Sequence, residues 1–216
     1  MKNIAIEERI LKSNTEFADK NKELLRKKGV MAINIFGSPG AGKTSILERV
    51  IDYMKDYLYI GVIEGDLYTS KDGMRIDDKG AEVVQINTCG ACHLDAAMIA
   101  RAYETMNMDK LQLIFIENVG NLVCPASFDL GESKRITVLS ITEGNDKPLK
   151  YPFIFKQADI VILNKLDLID YTDFDLEEFY QDIFSINQDI KLFLVSARNG
   201  EGIKSFCDYL SDLVKN

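Results

Sequence analysis

The sequence predicts one α/β domain, a mostly parallel, doubly wound sheet with helices on both faces and an N-terminal helical arm. Seven short stretches have strand length and near-continuous hydrophobicity, the pattern of strands buried on both faces. Segments with apolar residues at helical spacing separate most of them, and that alternation points to a parallel sheet. No repeat, low-complexity tract or Pro/Gly/Ser linker divides the 216 residues. Residues 1–28 therefore read as an arm packed on the remainder, and 29–216 as a single domain.

The elements follow in order. Residues 4–28 place Ile6, Ile10, Leu11, Phe17, Leu24 and Leu25 at helical spacing among Lys and Glu, which predicts one or two amphipathic helices closed by Gly29. "VMAINIF" (30–36) is a strand entering a glycine-rich turn, and "KTSILERVIDYMK" (43–55) is helical. Further strands are expected at "YIGVIEG" (59–65), "AEVVQIN" (81–87), "LQLIFIE" (111–117), "RITVLSI" (135–141), "DIVILNK" (159–165) and "IKLFLVS" (190–196). The clearest remaining helices are "LDAAMIARAYETM" (94–106), "DLEEFYQDIFSI" (175–186) and "GIKSFCDYLSDLVK" (202–215). Ligands of such sheets lie beyond the carboxyl ends of the strands, and each motif below follows a strand.

Composition narrows the function classes. A content of 46% hydrophobic and 28% charged residues is ordinary for a soluble domain with a substantial core. The net charge of −8 argues against nucleic-acid binding, which usually needs a basic face, but leaves room for a local anion site built from backbone N–H groups. The longest apolar runs, "LIFI" (113–116) and "IVIL" (160–163), are far too short to span a membrane. "MKNIAIEERILKSN" carries charges inside what would have to be the apolar part of a signal peptide. A cytoplasmic location is expected, and the four cysteines then read as free thiols or ligands rather than two disulfides.

"GSPGAGKT" (37–44) fits the P-loop pattern and has a strand before it and a helix after it. The expected phosphate-binding set is Gly37, Gly40, Ala41, Gly42, Lys43, Thr44 and Ser45. Lys43 reaches the β- and γ-phosphates, and the Thr44 hydroxyl binds Mg²⁺. "NKLD" (164–167) ends a later strand. Asp167 can accept the ring N–H and exocyclic amine of guanine, whereas adenine would leave it unpaired. Asn164 and Lys165 support the base, and "SARNG" (196–200), with Ser196 and Ala197, resembles the last base-contacting loop of GTPases. The expected nucleotide is GTP or GDP.

Two strand ends remain for chemistry. "EGDLYT" (64–69) holds Asp66, a candidate for Mg²⁺ or the attacking water. "ENVG" (117–120) offers Glu117 to magnesium through water and the Gly120 N–H to a γ-phosphate. The alternative is that Asp66 and Glu117 are solvated acids at strand ends. No glutamine is placed to activate water, so slow intrinsic hydrolysis is expected, as in a conformational switch.

"TCGACHLDA" (88–96) contains the only histidine of the chain. Cys89, Cys92 and His93 spell the C-x-x-C-H of c-type haem attachment, but they are equally ligands for zinc or nickel, or plain structural thiols. Haem would place a macrocycle at the rim of a nucleotide site without an export signal. Cys124 follows Gly120 on the next loop at the same sheet edge. Cys92, His93 and Cys124 make three-quarters of a tetrahedral site for Ni²⁺ or Zn²⁺, with Cys89, water or a second subunit as the fourth ligand. Cys207 lies at an apolar-phase position of the last helix and reads as core.

"GSPGAGKT", "EGD", "CHLDA", "ENVGNLVCPASFDLGE", "KYP" and "NKLD", in this order, resemble the HypB family of nickel-incorporation GTPases for hydrogenase. The resemblance runs from about residue 10 to the C-terminus. It implies a GTP-dependent homodimer that delivers nickel to the nickel–iron hydrogenase large subunit beside a zinc-containing partner chaperone. It also implies Cys92, His93 and Cys124 as metal ligands, with Lys43, Thr44 and Asp167 at the nucleotide. Some members carry an N-terminal cysteine-rich motif or a histidine-rich tract. This chain begins "MKNIAIEE" and shows neither, so N-terminal high-affinity binding and bulk nickel storage are not expected. Cys89 is an extra thiol relative to the pattern. The rival readings are a urease-accessory-type nickel GTPase, a signalling GTPase with a structural zinc, and a P-loop phosphotransferase, which leaves "NKLD" and the cysteines without roles.

Overall fold

The computed structural model describes residues 5–67 and 70–215, with side chains from Leu11 onward. The start of the arm, the side chains of Ile6 and Ile10, and the last two residues of "EGDLYT" lie outside the described residues. The arm is one helix, α1 (Ala5–Lys28), and Gly29 ends it with a left-handed φ of 65°. The strands are β1 (Met31–Gly37), β2 (Ile60–Asp66), β3 (Glu82–Asn87), β4 (Leu113–Glu117), β5 (Lys134–Ser140), β6 (Ile160–Asn164) and β7 (Lys191–Leu194). Each of the seven expected strands is present, within three residues at either end.

The helices between them are α2 (Lys43–Met54), α3 (Lys71–Asp77), α4 (Ala96–Thr105), α5 (Lys147–Lys150), α6 (Pro152–Gln157), α7 (Leu176–Ile186) and α8 (Ile203–Lys215). The helix expected from residue 94 begins at Ala96, because Asp95 adopts an extended conformation and caps it by accepting from the Met98 N–H. The turn α3 was not anticipated. Its sequence, "KDGMRID", is short, charged and interrupted by Gly73, so it carries no helical period.

The strands run in the order β3-β2-β4-β1-β5-β6-β7, and every pairing is parallel. The mostly parallel sheet is thus wholly parallel. Alternation along β1 shows the double winding. Ile33 and Ile35 pack with α2 and α8 on one face, whereas Ala32 joins α1 and α4, and Phe36 joins α6 and α7, on the other. Phe36 is 1% exposed and directly precedes the P-loop glycine, so trimming it to Ala would cost about 3–5 kcal/mol and loosen the loop's anchor. β1 and β4 are adjacent at the middle of the sheet, which brings the ends of "VMAINIF" and "LQLIFIE" side by side.

Candidate functional site

The P-loop is held from three sides. Gly42 caps α2 with a φ of 95°, a conformation open to glycine, and it lies against the Asn164 amide so closely that a Cβ would collide. Asn164 donates to the Ala41 carbonyl at 2.9 Å and accepts from the Ala197 N–H at 3.1 Å. The first residue of "NKLD" therefore ties the phosphate loop to the segment that carries Ala197. Gly40 also has a left-handed φ, of 78°. A Cβ on Gly120 would come within 3.1 Å of Pro39, and an isolated bridge joins Gly37 to Asn121. The "ENVG" loop thus rests on the P-loop.

A cleft of about 910 Å³ runs from Gly40, Lys43 and Thr44 past Glu117 and Gly120 to Asn164, Lys165, Asp167 and Arg198. It joins most of the phosphate set, Asp66 and most of the base set into one concavity at the strand ends, with Gly37, Ala41 and Ser196 outside its lining. Lys165 takes a left-handed φ of 64° that turns the chain into the short helix carrying Asp167. Ser196 donates to Asp167 Oδ1, and Arg198 stands 3.8 Å from Oδ2. Arg49 of α2, not anticipated, fixes the base loop by donating to the carbonyls of Ala197 at 2.8 Å and Arg198 at 2.7 Å. Ser45 accepts from Arg75 of α3 at 3.2 Å, and Arg75 is held by Glu48 and Asp72.

Of the two acids expected at the phosphate end, Asp66 is half-buried at the cleft, whereas Glu117 is not solvated. Glu117 is 3% exposed, accepts from Thr44 Oγ1 at 2.8 Å through Oε1, and lies 4.0 Å from Lys43 Nζ. Glu64 of β2, equally buried and missed in the sequence, sits beside it, and Oε2 of each has no hydrogen-bond partner. Burial first, and the facing Glu117 charge second, push the Glu64 carboxyl well above its ordinary range. Burial likewise raises Glu117, against the pull of Lys43. Glu64 and Glu117 face each other as a buried carboxyl pair next to the Thr44 hydroxyl, a set of hard oxygen donors of the kind Mg²⁺ takes. An acid in the middle of the apolar run "VIEGD" was the available signal.

The cysteine loops stand at the same edge. The thiol of Cys92 meets that of Cys124, and its sulfur is 3.6 Å from His93 Nδ1. The Cys124 contact first, then desolvation, raises the Cys92 thiol above its usual value. Burial lowers His93, which favours the neutral imidazole a metal needs. The His93 ring stacks on Phe128 at 3.9 Å, which fixes its plane. Cys89 has a φ of 51°, and its thiol lies 3.9 Å from the Asn87 carbonyl. Among the described residues, no group of three or more His, Cys, Asp or Glu side chains is gathered closely enough to hold a metal ion as it stands. Cys207 is fully buried, and desolvation pushes it up to about 12, as expected of a core thiol. All four cysteines are free.

An all-parallel, doubly wound sheet with a Gly-X-X-X-X-Gly-Lys-Thr loop at its central strand defines a P-loop nucleotide-binding protein. A family model described as CobW/HypB/UreG, nucleotide-binding domain, matches residues 31–193. Hydrogenase maturation factor HypB of Rhizobium leguminosarum bv. viciae is 48% identical over 207 residues, 96% of this chain and 69% of that protein. The probable hydrogenase maturation factor HypB of Methanocaldococcus jannaschii is 45% identical over 206 residues, covering 95% of this chain and 93% of that one. A crystal structure of HypB from Helicobacter pylori in complex with nickel aligns with a TM-score of 0.90 at 37% identity, over 94% of this chain and 95% of that chain. This chain belongs to the HypB hydrogenase maturation factors. Among the described residues, no helix is long and apolar enough to cross a membrane.

Proposed function

We propose that this chain is a GTP-hydrolysing metallochaperone that binds nickel, or zinc in its place, and assists nickel insertion into hydrogenase. The observation that carries the reading is the meeting of Cys92 with Cys124, beside His93, on loops that grow from the same strand ends as the nucleotide cleft. The nickel complex of the H. pylori relative supports nickel as the cargo.

In this reading Asp167, oriented by Ser196, selects guanine, and the P-loop amides with Lys43 hold the phosphates. Magnesium, when bound, neutralises phosphate charge and orients the attacking water. Thr44 binds the cation, Asp66 serves it or the water, and Glu117 acts on its water shell. The Gly120 N–H answers to the γ-phosphate, and the loop it begins carries Cys124. Nucleotide state therefore sets the distance between Cys124 and the Cys92–His93 pair. A fourth ligand comes from water, Cys89 or a second copy, so metal and GTP both favour a homodimer. The partners are a zinc-containing nickel chaperone and the nickel–iron hydrogenase large subunit, in the cytoplasm.

The test is to titrate nickel and zinc into protein loaded with GDP or a non-hydrolysable GTP analogue, measuring mass by light scattering. Stoichiometry, affinity or dimerisation that shifts with nucleotide supports delivery. Identical binding in both states turns the cysteine loops into a structural site and defeats the proposal.

A further inference from the structure

The nucleotide end and the cysteine loops are joined by a buried side chain that the proposed function leaves unused. Asn118 follows Glu117 and is 1% exposed. Its Oδ1 accepts from the Leu94 N–H at 3.1 Å and from the Val119 N–H at 3.0 Å, and its Nδ2 donates to Asn34 Oδ1 at 3.3 Å. Leu94 is the residue after His93. The segment that borders the γ-phosphate position is thus bonded to the backbone of the first metal loop.

Asn34, on β1, continues the connection. Its Nδ2 donates to Glu132 Oε1 at 3.3 Å, and Glu132 Oε2 accepts from the Leu130 N–H at 2.7 Å. The chain Leu94–Asn118–Asn34–Glu132–Leu130 therefore runs from the loop of Cys92 and His93 to the segment that follows Cys124 and Phe128. Buried amides are costly unless bonded, so a movement of Asn118 is passed on to the groups it bonds rather than breaking those bonds.

We propose that Asn118 is the positioning residue that transmits nucleotide state to the metal ligands. When the segment from Glu117 to Gly120 draws in toward a γ-phosphate, the Leu94 amide follows through Asn118, and the Cys92–His93 pair moves relative to Cys124. The inference rests on the reading of this chain as a nickel-binding GTPase. Linkage then requires metal to alter nucleotide affinity by the same factor.

The experiment titrates Ni²⁺ into the full chain as wild type, Asn118→Ala and Asn118→Asp, each loaded with GDP or the GTP analogue. The wild-type ratio of the two nickel dissociation constants, about 5- to 150-fold for a typical linkage, is the reference. The ratio falls severalfold in Asn118→Ala, because only the Gly120–Cys124 route is left, and Asn118→Asp, which keeps the acceptor for both amides, recovers most of it. A merely structural asparagine would weaken nickel equally in both states. A preserved ratio in Asn118→Ala therefore overturns the proposal. A wild-type ratio of one sinks the linkage itself before any substitution, which separates that failure from this one. A measurement that needs no variant guards against a misfolded Asn118→Ala. In metal-free wild type the Leu94 amide resonance shifts when the analogue replaces GDP, and an unmoved resonance overturns the proposal.

Discussion

Thr44 Oγ1 donates to Glu117 Oε1 over 2.8 Å, and the other oxygen of that carboxylate has no hydrogen-bond partner. The hydroxyl at the start of α2 and the acid at the end of β4 are thereby paired, with one oxygen left over for a cation. Glu117→Gln keeps the shape and removes the charge. Phosphate release should fall roughly 10²-fold, whereas GTP affinity measured without magnesium changes little. An equal loss of both would make Glu117 a scaffold residue.

Glu64 gives a pH signature. Burial, then the Glu117 charge, raise its carboxyl above the ordinary 4.5. Its contribution to stability is full below that value and is lost as pH rises toward the higher folded value. Glu64→Gln removes the loss. Urea unfolding of the nucleotide-free, metal-free protein should show the variant gaining on wild type by about 1–3 kcal/mol between about pH 5 and about pH 8. A difference that stays flat across that interval would contradict the assignment.

Asp167 should govern the base. Asn in its place can still accept the ring N–H of guanine but points an N–H₂ at an amine. GTP affinity should drop about 10²-fold, and xanthosine triphosphate, with a carbonyl at that carbon, should be preferred. Competition titrations with the two nucleotides decide it.

Cys124→Ala should weaken nickel and zinc binding while leaving GTP affinity nearly intact, because the thiol faces Cys92 rather than the cleft. Unchanged metal affinity, read by titration against a chromophoric chelator, would remove Cys124 from the site.

The arm has a structural task that can be tested separately. Asn21, 2% exposed, donates to the carbonyls of Ala96 and Leu130 at 2.9 Å each, and Asn14 pairs with the Ala96 N–H and the Asp129 carbonyl. α1 thus clamps the segments that follow both cysteine loops. Asn21→Ala leaves two carbonyls without this donor and should destabilise the chain by about 1–3 kcal/mol in thermal unfolding.

The strands were legible because burial on both faces leaves unbroken apolar runs, and the P-loop and "NKLD" because their chemistry demands fixed residues at fixed spacing. The polar groups inside the apolar runs were harder to read. Asn34 in "MAINIF" and Glu64 in "VIEGD" look like minor interruptions of a strand, yet each takes part in a buried network at the sheet end. Arg49 and Arg75 belong to no motif, and only the fold shows what they face. Asn164 fitted a base-supporting role from its motif, and tertiary contact alone revealed the tie to Ala41.

The strand order also sets an order of failure. β1 and β4 are enclosed by neighbours on both sides, whereas β7 is a four-residue edge strand that ends two residues before Ser196. Local opening favours such edges. Under mild denaturant the chain should lose its preference among nucleobases before it loses its grip on triphosphate, becoming a less selective binder before it becomes a non-binder.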